Sequence, residues 1–144
     1  MKKLILIIFL LILPIFLLSY GEKEFKGKYK LHLSGYPNSG YQNHFIEIKS
    51  ISGKKITGIV GLDFSIGPQA RMPMPWEKLH ELKFNGKYNS LKRMISFSID
   101  LHRGANTLKH TFKGYLTYIA NQKVIIGIYK INKKEEGGFY AQEN

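Results

Sequence analysis

The chain has 144 residues, enough for one domain with its own core, and carries 22 Lys or Arg against 10 acids, a formal net charge of +12. It contains no cysteine, which excludes disulfides, thiol catalysis, cysteine metal sites and lipid attachment through a cysteine. Nineteen of the basic residues lie between positions 25 and 134, where the only acids are Glu47, Asp63, Glu77, Glu81 and Asp100. A positive field of that kind suits anionic partners such as lipid head groups, phosphates, acidic glycans or an acidic protein. The bland reading of the same charge is solubility.

The N-terminus reads as a targeting segment. Lys2 and Lys3 precede an apolar run over residues 4–18, broken only by Pro14, and Ser19-Tyr20-Gly21 supplies small residues where a signal peptidase cuts. We expect a signal peptide over residues 1–21 and a mature domain over 22–144, exported and either periplasmic or secreted. The run is shorter than the roughly 20 apolar residues of a membrane span, and the alternative is an uncleaved N-terminal anchor. After cleavage no membrane span is expected.

Strand one is expected over residues 25–33, where Phe25, Gly27, Tyr29, Leu31 and Leu33 alternate with Lys26, Lys28, Lys30 and His32. Residues 34–40 hold turn formers. Strands two (43–51) and three (55–64) make a hairpin about Ser52-Gly53-Lys54. Residues 65–81 form one long irregular stretch with Gly67, Pro68, Pro73 and Pro75, and Pro75 is placed to open a short helix reaching Leu79 or His80. Strand four covers 82–88, a tight turn uses Asn89-Ser90, and strand five covers 92–101. Residues 102–106 are a connection. Strand six covers 108–119, Asn121-Gln122 turns the chain, strand seven covers 123–131, and residues 132–136 are a charged turn. Gly137-Gly138-Phe139-Tyr140-Ala141 is a short closing strand.

One pattern recurs along these strands. Phe84-Asn85-Gly86-Lys87-Tyr88 repeats Phe25-Lys26-Gly27-Lys28-Tyr29, with looser copies at Gly58, Gly114 and Gly127. Period two puts Phe84, Gly86 and Tyr88 on one face, toward the core, and Asn85 and Lys87 toward water. Glycine weakens a strand interior, so its repetition signals a strongly bent sheet. The expectation is an all-β fold, a single up-and-down antiparallel β-barrel of about eight strands, whose closure removes exposed edges.

The hairpin-linked strands, the glycine-aromatic repeats and the closing Gly137–Ala141 segment resemble the calycin-type meander barrels, avidin-like and lipocalin-like, over most of residues 25–142. The resemblance is architectural. Tyr29 stands where a lipocalin-type Gly-x-Trp would place tryptophan, and the tryptophans that wall an avidin pocket have no counterparts. The resemblance implies a barrel with a mouth-side pocket and does not carry biotin binding over.

Catalytic chemistry finds little support. Asp100 and His102 share a face near the end of strand five, but no nucleophile elbow, HExxH or glycine-rich phosphate loop accompanies them. Glu47 and Asp63 face outward by phase, which leaves no acid pair of the glycosidase kind. No cofactor and no metal are expected. Nucleic acid is set aside, since no OB-type or RRM-type signature accompanies the charge.

The remaining candidates are binding residues. His110 falls on the inward face of strand six between Leu108 and Phe112, either as a ligand contact or as a core histidine. Tyr88 and Tyr118 are inward aromatics with hydroxyls. Arg71, Met72, Met74 and Trp76 lie in the long loop, where Trp76 either plugs one end of the barrel or anchors a partner. The sequence thus points to a non-enzymatic exported binding module. It would take a small ligand in the barrel mouth or an anionic partner on its basic face. One alternative is a protein-interaction or inhibitor module acting through residues 65–81, and another is an enzyme without a recognisable motif.

Overall fold

The structure is a computed structural model that describes residues 25–34, 43–62, 80–103 and 105–144. The strands are β1 (Gly27–Leu33), β2 (Phe45–Ser52), β3 (Lys55–Leu62), β4 (His80–Asn89), β5 (Met94–Arg103), β6 (Asn106–Ile119), β7 (Gln122–Ile131) and β8 (Lys134–Glu143). They pair antiparallel in sequence order, and β8 returns to β1 to close the barrel. This is the eight-stranded meander expected from the alternation. Among the described residues, the eight strands that close the barrel lie within residues 27–143.

The turns show why the chain reverses where it does. Ala120 and Asn121 have φ of 48° and 63°, and Asn132 and Lys133 have 49° and 73°. Two successive positive φ values mark the turn whose twist matches a two-residue hairpin. The Asn132 side chain accepts a hydrogen bond from the Lys109 amide at 3.0 Å, and its own amide donates to the Lys109 carbonyl at 2.9 Å. The β7–β8 turn is thereby stitched to β6. At the β4–β5 turn, Asn89 Oδ1 accepts from the Lys92 amide at 3.1 Å, a local side-chain turn typical of asparagine.

Several boundaries differ from expectation. His80 begins β4 and pairs with Leu62, so no helix extends to it; residues 75–79 lie outside the described residues. The β5–β6 pair runs up to Arg103↔Asn106, so most of the expected connection at 102–106 is strand. The charged turn at 132–136 shrinks to Asn132-Lys133, because Lys134 and Glu135 pair with Ile131 and Lys130. In each case ladder hydrogen bonds to a neighbour outweigh weak local propensity. β2 also carries an irregularity between Ile48 and Ser50. The extra residue keeps Ile46, Ile48 and Ile51 all buried despite the odd spacing.

The seam between β1 and β8 is held by Ser34. Its hydroxyl donates to the Gly138 carbonyl at 2.9 Å and accepts from the Gly138 amide at 2.7 Å, while its carbonyl accepts from the buried Tyr129 hydroxyl at 2.8 Å. Inside, the rings of Phe84 and Phe97 stack with centroids 3.9 Å apart. Phe97 and Phe112 follow at 5.1 Å, Phe112 and Tyr129 at 6.2 Å, and Phe139 meets Phe112 edge-on at 5.5 Å. These rings come from five successive strands and pack the middle of the barrel with side chains, as a small barrel allows. The outward positions carry Lys26, Lys28, Lys30, Lys83 and Lys87, all exposed. On β6 and β7 the outer face also carries the exposed Tyr115, Ile126 and Ile128.

One seam is incomplete. β4 and β5 pair only from Gly86↔Phe97 to Asn89↔Met94. β4 stays paired to β3 as far as His80, and β5 to β6 as far as Arg103. The two central strands therefore part company halfway along. The end carrying turns 53–54, 90–93 and 120–121 is here called the base, and the opposite end the rim.

Candidate functional site

The site is built at the base, on the outer face of β3 to β6, where β4 and β5 are still paired. Register sets one row of side chains across four strands: Lys55 opposite Lys87, Lys87 opposite Ser96, and Ser96 opposite Lys113. Strand alternation turns all four outward. Thr57 and Asn85 form the next pair toward the rim, and Ser98 lies opposite Thr111. Around them is a groove of about 1180 Å³, whose lining adds Lys54 and Asn89 at the base and Met94 at the edge.

The charged side chains of the groove are all basic. Lys54, Lys55, Lys87 and Lys113 line it, and no carboxylate does. The ion pairs among the described residues, Lys123–Glu143 at 2.8 Å and Lys130–Glu135 at 4.0 Å, lie elsewhere. Lys28, on β1, instead sits 3.8 Å from the ring centre of Phe45. Like charges directly opposite across two strands are destabilising, so Lys55 beside Lys87 is a standing cost that a bound anion would offset. The polar lining can add hydrogen bonds. Thr57 and Ser98 already share theirs, with Ser50 at 2.6 Å and Thr111 at 3.0 Å. Ser96, between Lys87 and Lys113, has a hydroxyl able to donate to an anion.

The sequence-derived candidates do not converge here. Tyr88 is buried on the inner face, and its backbone amide donates to the Lys54 carbonyl at 2.9 Å. Tyr88 is nevertheless among the residues that border the groove. Tyr118, expected to face inward, is instead exposed, because β6 ends at the base where the barrel no longer covers it, and its ring lies 5.5 Å from Phe25. His110 lies toward the rim, eight residues before Tyr118 on β6, or roughly 26 Å along the strand. Arg71, Met72, Met74 and Trp76 lie outside the described residues. Asp100 and His102 both face outward and are exposed, and His102 Nδ1 is 2.9 Å from Thr107 Oγ1.

His110 is the second feature with chemical content. It is buried as expected, opposite Ile99 and Ile131. Nδ1 lies 3.2 Å from the Leu108 carbonyl, and Nε2 is buried with no partner among the described residues. Desolvation pushes its pKa below 6.5, opposed in part by the bond to Leu108. The unfolded chain therefore binds more protons than the folded one between that lowered value and about 6.5. Stability is full above pH 6.5 and falls as the pH drops below it. We expect His110→Leu to lose less stability between pH 7.5 and pH 5 than wild type. Urea denaturation at the two pH values checks this, and an unchanged difference would show that His110 does not drive the acid response.

Among the described residues no cluster of His, Asp or Glu has the geometry to hold a metal ion, and no helix is long and apolar enough to cross a membrane. Comparisons with protein-family models, with curated proteins and with solved structures returned no match. The barrel is the architecture that the calycin-type resemblance implied. The groove is not where that resemblance placed a pocket: it lies outside the barrel wall, not in its mouth.

Proposed function

We propose that the protein is an exported, non-enzymatic binding module that holds a phosphate-bearing or similarly anionic partner in the basic groove at its base. The observation that carries this reading is the direct apposition of Lys55 and Lys87 in a groove lined by four lysines and no carboxylate. Surface lysines spread for solubility gain nothing from facing each other across a ladder. The export assignment rests on the N-terminal run at residues 4–18 and the small residues at 19–21. The aromatic stack through the barrel favours the outer groove over a ligand held in the middle of the barrel.

Calorimetric titration with inorganic tripolyphosphate tests the reading. Binding is expected at 50 mM salt and should weaken at least tenfold at 300 mM, because screening shortens the reach of exposed charges. Absence of binding at low salt, or affinity indifferent to salt, would remove the anionic-groove reading.

A further inference from the structure

We propose that the base of the barrel seats on an anionic lipid bilayer, with head-group phosphates in the basic groove and Leu91 and Ile119 dipping into the interfacial layer. The proposal rests on the groove reading above and names the source of the anion.

Three observations at the base converge on it. The first is exposed apolar surface at the turns. Leu91, in the β4–β5 turn, is 92% exposed, and Ile119, at the end of β6, is 48% exposed. An isolated exposed leucine is ordinary, but these two project from neighbouring turns at one end. The turns are tied together, since the Leu116 amide donates to the Arg93 carbonyl at 2.8 Å and the Arg93 guanidinium lies 6.0 Å from the Phe25 ring, itself against Tyr118.

The second observation is charge. Lys92 and Arg93 share the turn of Leu91, and Lys54 lies in the β2–β3 turn at the same end, where it lines the groove. The described acids toward this end lie across the barrel on the β1 side: Glu143, opposite Tyr29 and already paired with Lys123 at 2.8 Å, and Glu47, opposite Lys28. Glu22 and Glu24 lie outside the described residues. Glu81, Asp100, Glu135 and Glu136 belong to the rim half of the barrel. Basic side chains around exposed apolar tips match a surface of anionic head groups over acyl chains.

The third observation is where the chain begins. Phe25 lies at the base, and only six residues, 19–24, separate it from the apolar run ending at position 18. Six extended residues reach about 20 Å. A bilayer holding residues 4–18 before cleavage therefore faces the base first.

Vesicle co-sedimentation of the chain from residue 22 decides the matter, with tripolyphosphate titration alongside and circular dichroism to confirm folding. Vesicles of phosphatidylglycerol and phosphatidylcholine should bind the protein, and vesicles of phosphatidylcholine alone should not. The Leu91→Ser/Ile119→Ser variant should lose about tenfold in vesicle partitioning and keep its tripolyphosphate affinity. Lys92→Gln should cost about fivefold on vesicles. Equal binding to both vesicle types, or full vesicle binding by the Leu91→Ser/Ile119→Ser variant, would overturn the membrane proposal. Vesicle failure with tripolyphosphate binding intact removes the bilayer and leaves the groove; failure of both removes the groove as well.

Discussion

Replacing Gly127 by alanine should cost the barrel about 3 kcal/mol or more and lower its melting temperature by roughly 10 °C or more. A Cβ at this position would run into the Lys113 carbonyl oxygen, lie 2.6 Å from the Gly114 Cα and lie 2.7 Å from the Phe139 ring. The first two are backbone atoms of the paired strand, which cannot yield without breaking the β6–β7 ladder. Gly127, Gly114 and Phe139 sit in register across β6, β7 and β8, so the ring of Phe139 takes the space that two missing side chains leave. Of a total stability of about 5–15 kcal/mol, the loss is large enough to leave part of the population unfolded at 37 °C. Gly53→Ala is the control. Nothing lies within 4 Å of its Cβ position, and the cost there is the φ of +56° alone, about 1 kcal/mol. Thermal melts followed by circular dichroism compare the two. Equal losses would show that close packing at Gly127 is not what the glycine repeat serves.

The double substitution Lys55→Gln/Lys87→Gln should weaken tripolyphosphate binding by about 25-fold while raising stability by a few tenths of a kcal/mol. The first expectation takes about 1 kcal/mol for each lysine at an anion, or about fivefold apiece. The second follows from removing a direct cross-strand repulsion, worth about 0.2–1 kcal/mol. Opposite signs for binding and stability separate a binding site from a structural one, since residues kept for the fold lose stability when replaced. Lys26→Gln/Lys30→Gln, just before β1 and on its outer face, removes the same charge away from the groove and should change affinity no more than about twofold. Equal effects from both pairs would mean that the protein responds to total charge, and the groove would lose its assignment.

The alternation of Phe25 to Leu33, and of residues 84–88, settles which side of each strand is buried. The structure keeps that phase throughout, with Tyr29, Phe84 and Tyr88 in and Lys28, Asn85 and Lys87 out. Period-two burial is a local property, legible wherever one face meets the core. The extension of the expected helix to His80 and the connection expected at 102–106 failed for the opposite reason. Nothing local distinguishes those residues, and partners on β3 and β6 decided them. The irregularity in β2 at Lys49 belongs to the same group, because an extra residue is visible only against its partner strand.

The candidate site divides in the same way. His110 was legible as an inward histidine from its place between Leu108 and Phe112, and its burial bears that out. That its Nε2 has no partner among the described residues required the neighbouring strands. Lys55, Lys87 and Lys113 were each legible as outward lysines on separate strands, 32 and 26 positions apart. Lysine is common on solvated faces, so nothing in the sequence singled these three out.

By itself the sequence determined the class of the fold, the inward face of strands such as β1, β4 and β5, and the glycine-aromatic repeat that bends the sheet. All three follow from chain-local periodicity and from the sterics of glycine. Tertiary structure alone decided the register that puts Lys55 against Lys87, the parting of β4 from β5, and the gathering of Leu91, Ile119 and Phe25 at one end. Each depends on which strand lies beside which, and at what offset. A slide by two residues would keep every side chain on its face yet remove the groove, so local patterning has no hold on it.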